Sequence, residues 1–79
     1  MKDLNAQSAH IADKSVALVI CAMMNGLSYE EASIAFLVCA KLMKLQDENP
    51  HIPASEMGVL ADKWTKEELL RAQSKGTVQ

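Results

Sequence analysis

The sequence has few of the residues from which active sites are built. Its 79 residues include two histidines, two cysteines and three aromatic residues. It contains no Cys-x-x-Cys or His-x-x-x-His spacing, so the common metal-ligand patterns are missing. The glycines are isolated from one another, which excludes a glycine-rich phosphate loop. We therefore expect no catalytic residues, no metal ion and no cofactor, and we expect a protein that is not an enzyme.

A strong charge and a long apolar run are also missing. Eight basic and ten acidic residues give a net charge of −2, whereas a dedicated nucleic-acid binder usually carries a basic surplus. The longest apolar run covers residues 16–24, about half of what a bilayer span requires. The first residues do not have the pattern of a signal peptide. These features predict a cytoplasmic protein that does not enter a membrane and disfavour nucleic acid as a partner.

The two cysteines are expected to be free thiols. Cys21 and Cys39 lie in two apolar segments on either side of a turn at residues 25–28. If those segments form a helical hairpin, the two cysteines are offset by about 9 Å, too far for a disulfide within one chain. Free thiols are typical of a reducing compartment.

Apolar residues are abundant for so small a chain. They make up 49% of the sequence, while a domain of this size buries only about 60% of its surface. The sequence therefore predicts a single helical domain over residues 1–79 with more apolar surface than one core can cover. Such a surplus favours self-association or a permanent partner.

The pattern of helix start and stop signals predicts an all-α fold with four helices, over residues 5–25, 29–47, 55–62 and 66–75. Asn25 and Gly26 end the first, and Ser28 with Glu31 forms a capping box for the second. A second capping box at Thr65 separates the last two helices, because one continuous helix would place Glu68 in the core. We expect the two long helices to form an antiparallel hairpin, covered by the other two, in a dimeric helical bundle.

Two groups of side chains are candidates for contact. Ile34 and Leu37 interrupt the polar stripe of the second helix near Lys41, and the small residues Ala17 and Cys21 lie on the polar stripe of the first. These five residues form the predicted interface. The predicted lid over the hairpin core consists of Leu60, Trp64, Leu69 and Leu70.

The sequence leaves three functions open. The first is a small interaction protein, that is, a regulator, adaptor or inhibitor, acting as a homodimer on an unidentified protein. The second is a dimeric DNA-binding regulator, which requires a basic face built from Lys41, Lys44, Lys63, Lys66, Arg71 and Lys75. The third is a carrier of an apolar ligand, which requires an enclosed cavity lined by Met23, Phe36 and Met43.

A short segment resembles a DNA-binding motif. The seven residues from Gly26 to Ala32 are similar to the start of helix-turn-helix units in sigma-factor-like and small regulatory DNA-binding proteins. That family continues with a short helix, a tight turn and a polar recognition helix. Here residues 34–45 continue without a breaker and are largely apolar, and the capping box accounts for the same residues. No functional residue is carried over from this resemblance.

Overall fold

The computed structural model of the chain describes residues 3–77, with side chains through residue 74, and these residues form three helices. Helix α1 covers Leu4–Met24, α2 covers Tyr29–Glu48 and α3 covers Ala54–Thr77. No strand occurs in residues 3–77, so the predicted all-α fold class is confirmed. None of the three helices combines the length and apolar character that a membrane span requires, within the same residues.

Local interactions define the start of α1 and the turn between α1 and α2. The Asp3 carboxylate accepts a hydrogen bond from the Asn5 amide at the start of α1. After Asn25, Gly26 has φ +73°, a left-handed conformation that glycine adopts without steric cost. The predicted capping box is present at the start of α2. The Ser28 hydroxyl accepts from the Glu31 amide at 3.2 Å, and the Glu31 carboxylate accepts from the Ser28 amide at 2.9 Å.

The predicted break at Thr65 is wrong. Residues 55–62 and 66–75 belong to one continuous helix, α3, which passes through Thr65 and beyond the predicted end at residue 75. The break was expected because continuous helix phase would put Glu68 in the core, and the structure places Glu68 there. Lys41 of α2 and Arg71 of α3 contact the Glu68 carboxylate. Because these cations compensate its charge, Glu68 can be buried within a continuous helix. Ser55 lies inside α3 and does not cap it.

The packing of the helices also differs from the expected hairpin. The partner of α2 is α3, reached through a connector at residues 49–53 in which Ile52 is half-buried. Val38 is buried between these helices, and Leu42, Leu60 and Trp64 are half-buried. Helix α1 stands apart from this pair and buries only Ala22. In the single chain, α1 does not pack along α2 as the predicted hairpin requires.

The resulting shape is large for the chain length. The radius of gyration is 15.4 Å, compared with about 12 Å for a compact domain of this length. The accessible surface is 6643 Å², compared with about 4,700 Å² for a folded monomer of this mass. One chain therefore exposes about 1,900 Å² more than a compact monomer would.

Candidate interaction surface

The surplus surface is concentrated on α1. Every side chain of this helix except Ala22 is exposed. Its large apolar residues are Leu4, Ile11, Val16, Leu18, Val19, Ile20, Met23 and Met24. A soluble helix normally turns such residues toward a core. The apolar side chains of α1 therefore do not pack into a core within the single chain.

These residues form two faces on opposite sides of the helix. At about 100° per residue, Leu4, Ile11 and Leu18 lie on the same side as the buried Ala22. We call these four residues the α1 inner face. Val16, Ile20 and Met24 lie roughly opposite and form the α1 outer face. Between the two, on one side only, runs a polar stripe of Gln7, His10 and Lys14.

A groove lies in the angle between α1 and α2. Its volume is about 360 Å³, and it is open to solvent along its length. Val19, Ala22 and Met23 line it from α1, Phe36 lines it from α2, and Leu27 closes its base. None of its lining residues carries a charge, and the only polar groups are hydroxyls. A groove of this composition suits an apolar side chain or helix better than a polar ligand.

Helix α2 has two faces as well. The side that packs on α3 carries Val38 with Leu42 and Leu45. The opposite side carries Phe36, Ala40 and Met43, all exposed, and we call these three residues the α2 open face. The open face continues the line of the groove along α2, because Phe36 belongs to both. Phe36 and Met43, which the ligand-carrier alternative places in an enclosed cavity, are both uncovered in the single chain.

The structure does not bring the five predicted interface residues together. Ile34 is half-buried on the side of α2 that carries Val38, and Leu37 is exposed beside it. Ala17 and Cys21 are exposed on α1, on the side away from the groove. The Cys21 thiol accepts a hydrogen bond from the Asn25 side-chain amide at 3.6 Å. Both cysteines are free thiols, and both are exposed.

Lys41 belongs to a cluster of charges between α2 and α3. Its ammonium nitrogen lies 3.5 Å from a Glu68 carboxylate oxygen and 6.0 Å from the centre of the Trp64 ring. The Arg71 guanidinium donates to both Glu68 oxygens, at 3.1 and 2.9 Å. Glu68 is 7% exposed, whereas both cations reach solvent. Sequence reasoning missed this cluster, since Lys41 and Glu68 are far apart in the chain.

The residues of the predicted lid separate into two pairs. Leu60 and Trp64 are half-buried against α2, and Leu69 and Leu70 are exposed. Leu70 and Val59 lie on the outer side of α3, where Lys63 and Lys66 separate them. Apolar residues interrupted by charges are typical of an ordinary solvated face. The contiguous apolar surface is therefore that of α1 and the α2 open face.

The DNA-binding alternative depends on where the basic residues lie. Lys14, Lys41, Lys66 and Arg71 each have a carboxylate oxygen within 4 Å. The Lys75 side chain lies outside the described side chains.

Met23 and Phe36 line the open groove, and Met43, which is exposed, does not. The described residues thus do not place these three side chains around an enclosed cavity.

No cluster of three or more histidine, cysteine or acidic side chains suited to a metal ion occurs among residues 3–74. His10 lies on α1 and His51 in the connector before α3, and both are exposed. Comparison with known protein families, curated proteins and solved structures finds no match for this chain.

Proposed function

We propose that this protein is a small non-enzymatic interaction protein, a regulator, adaptor or inhibitor, that acts in the cytoplasm through protein–protein contacts as a homodimer. One observation carries the proposal: α1 is a helix of 21 residues that is apolar on two opposite faces and exposed on both. A helix with apolar residues on most of its circumference is stable only when neighbours enclose it. The missing neighbours must come from other chains.

The two faces of α1 call for two different neighbours. A second copy of the chain can cover the inner face, because the copy also carries an uncovered apolar surface on α2. The outer face then remains available to another protein. Its residues Val16, Ile20 and Met24 are spaced four apart, the spacing at which one helix docks into a groove of a partner.

The experiment compares three baits that differ only on α1. The tagged wild-type chain, the outer-face variant Ile20→Lys with Met24→Lys, and the polar-stripe control Gln7→Ala with His10→Ala are each used to capture proteins from the native host. Any captured protein is then purified and titrated against each bait. The expected result is a partner that binds wild type and control equally. Binding to the outer-face variant is expected to weaken at least about 100-fold, since two charges enter an apolar contact.

Two results would overturn the proposed function. One is the absence of any protein retained above the level of an unrelated helical bait. The other is a partner that binds the outer-face variant as tightly as the wild-type chain. Circular dichroism of each bait establishes that the compared chains are equally helical.

A further inference from the structure

The α1 inner face and the α2 open face are two halves of one packing surface. In an antiparallel pair centred on residue 27, Ile11 lies level with Met43 and Leu18 lies level with Phe36. All four side chains are exposed in the single chain. The sequence therefore encodes a contact between α1 and α2 that one chain does not make.

The dimensions of the two helices match. Helix α1 has 21 residues and α2 has 20, so each is about 30 Å long. An α1 helix from elsewhere could cover the α2 open face from end to end. Its inner face includes no charged residue, and neither does the groove at the foot of α2. Two copies with a net charge of −2 each would bring no like charges together there.

The amount of surface available fits a permanent dimer. One chain exposes about 1,900 Å² more than a compact monomer. Two chains that cover this surplus would bury about 3,800 Å² in total, within the range of roughly 2,000–5,000 Å² typical of obligate homodimers. A peptide-sized partner in the groove alone would cover only a small part of the surplus.

We propose that two copies exchange their α1 helices, so that the inner face of each α1 packs along the α2 open face of the other copy and fills its groove. This inference rests on the proposed function and names the first partner as a second copy. The hinge is the turn at residues 25–28, where Gly26 has φ +73°. Exchange reproduces between chains the hairpin that the sequence pattern encodes within one chain. The α1 outer face stays on the surface of the dimer.

The test links two different chains by a disulfide. In a background of Cys21→Ser with Cys39→Ser, one chain carries Ile11→Cys and the other carries Met43→Cys. Neither chain can form this bond alone, and a disulfide requires Cα atoms within about 7 Å. The matched control replaces Ile11→Cys with His10→Cys, which moves the thiol to the polar stripe one residue away. Sedimentation equilibrium up to about 100 µM gives the oligomeric state of the wild-type chain.

The expected result is a wild-type dimer, and a mixed disulfide that forms about tenfold or more faster for the Ile11→Cys pair than for the control, because the dimer holds the two thiols at high effective concentration. The pair Leu18→Cys with Phe36→Cys repeats the test if circular dichroism shows that Met43→Cys lowers the helix content.

Three outcomes overturn the exchange. The wild-type chain could be monomeric at about 100 µM. The two cross-linking pairs could react at the same rate. A single dilute chain carrying both Ile11→Cys and Met43→Cys could close on itself, which would show that α1 folds back within one chain. A monomer whose partner is still lost through Ile20→Lys with Met24→Lys would reject both the exchange and the homodimer. It would leave standing the proposal of an interaction protein that binds another protein through the α1 outer face.

Discussion

Removing apolar atoms from the α1 inner face is expected to dissociate the proposed dimer without weakening the single chain. The perturbation is Ile11→Ala with Leu18→Ala, two residues that are 56% and 55% exposed in one chain. Alanine favours helix at least as well as isoleucine or leucine. Substitutions at exposed positions change the stability of the chain by at most about 0.5 kcal/mol. Nothing within one protomer should therefore respond to this change.

The effect on association follows from the exposed fractions. Complete burial of an Ile or Leu side chain contributes about 1.5–3 kcal/mol. Slightly more than half of each side chain remains to be buried on dimerisation, so each contributes about 0.8–1.6 kcal/mol there. Alanine removes most of this contribution at four positions of a symmetric dimer. The total loss is about 3 kcal/mol, which raises the dissociation constant more than about 100-fold.

The assay is sedimentation equilibrium over a concentration series, with the control Gln7→Ala and His10→Ala on the polar stripe of the same helix. We expect the control to dimerise like the wild-type chain. Equal dissociation constants for all three proteins would refute the reasoning, because the inner face would then make no contact between copies. A loss of association in the control as well would show that the helix, and not one face of it, is affected.

Three further predictions concern the helices themselves. Thr65→Ala should change the free energy of unfolding by less than about 0.5 kcal/mol, because α3 is continuous there. Ser28→Ala should lower the free energy of unfolding by about 1 kcal/mol, because it removes the N-cap of α2. Urea denaturation at one fixed protein concentration measures both, and a larger loss at Thr65 would support a break in α3.

Gly26→Ala should lower the free energy of unfolding by about 1 kcal/mol, because Gly26 has φ +73°. Gly58→Ala should raise it by about 0.5–1 kcal/mol, because Gly58 lies inside α3 with open space around its Cβ position. Thermal denaturation measures both, and changes of the same sign in the two variants would contradict the backbone argument. Amide hydrogens of α1 should exchange rapidly in dilute protein and slowly in concentrated protein, while those of α2 and α3 stay protected. The reason is that helices in proteins gain most of their stability from packing, which α1 obtains only in the proposed dimer. Exchange of α1 that does not depend on concentration would count against its enclosure by a second chain.

Local signals account for the part of the fold that was predicted well. The ends of α1 and α2 lie within one residue of the predicted bounds, because Asn25, Gly26 and the Ser28–Glu31 capping box act through neighbouring backbone groups. Such interactions are readable from a sequence. The error in α3 has the opposite origin. A buried glutamate is unfavourable when it is considered alone, so the sequence predicted a break that would keep Glu68 out of the core. Its partner Lys41 lies on another helix, and this contact cannot be read from the neighbouring residues.

The candidate site divides in the same way. The surplus of apolar residues and the apolar circumference of α1 follow from composition and helical period, and both were predicted. The choice of helix that packs on α2 did not follow, since both α1 and α3 offer an apolar face to it. Lys41 shows the consequence, because its contact with Glu68 of α3 does not follow from the pattern of α2 alone.

The sequence by itself determined where α1 and α2 begin and end and how much apolar surface the helices carry, because helix signals and hydrophobic period act within a few residues along the chain. Only the tertiary structure decided which faces meet: it packed α2 on α3, buried Glu68 between two cations and left α1 uncovered. Burial of apolar area is favourable whichever faces provide it, so the hydrophobic pattern alone does not choose between α1 and α3 as the neighbour of α2.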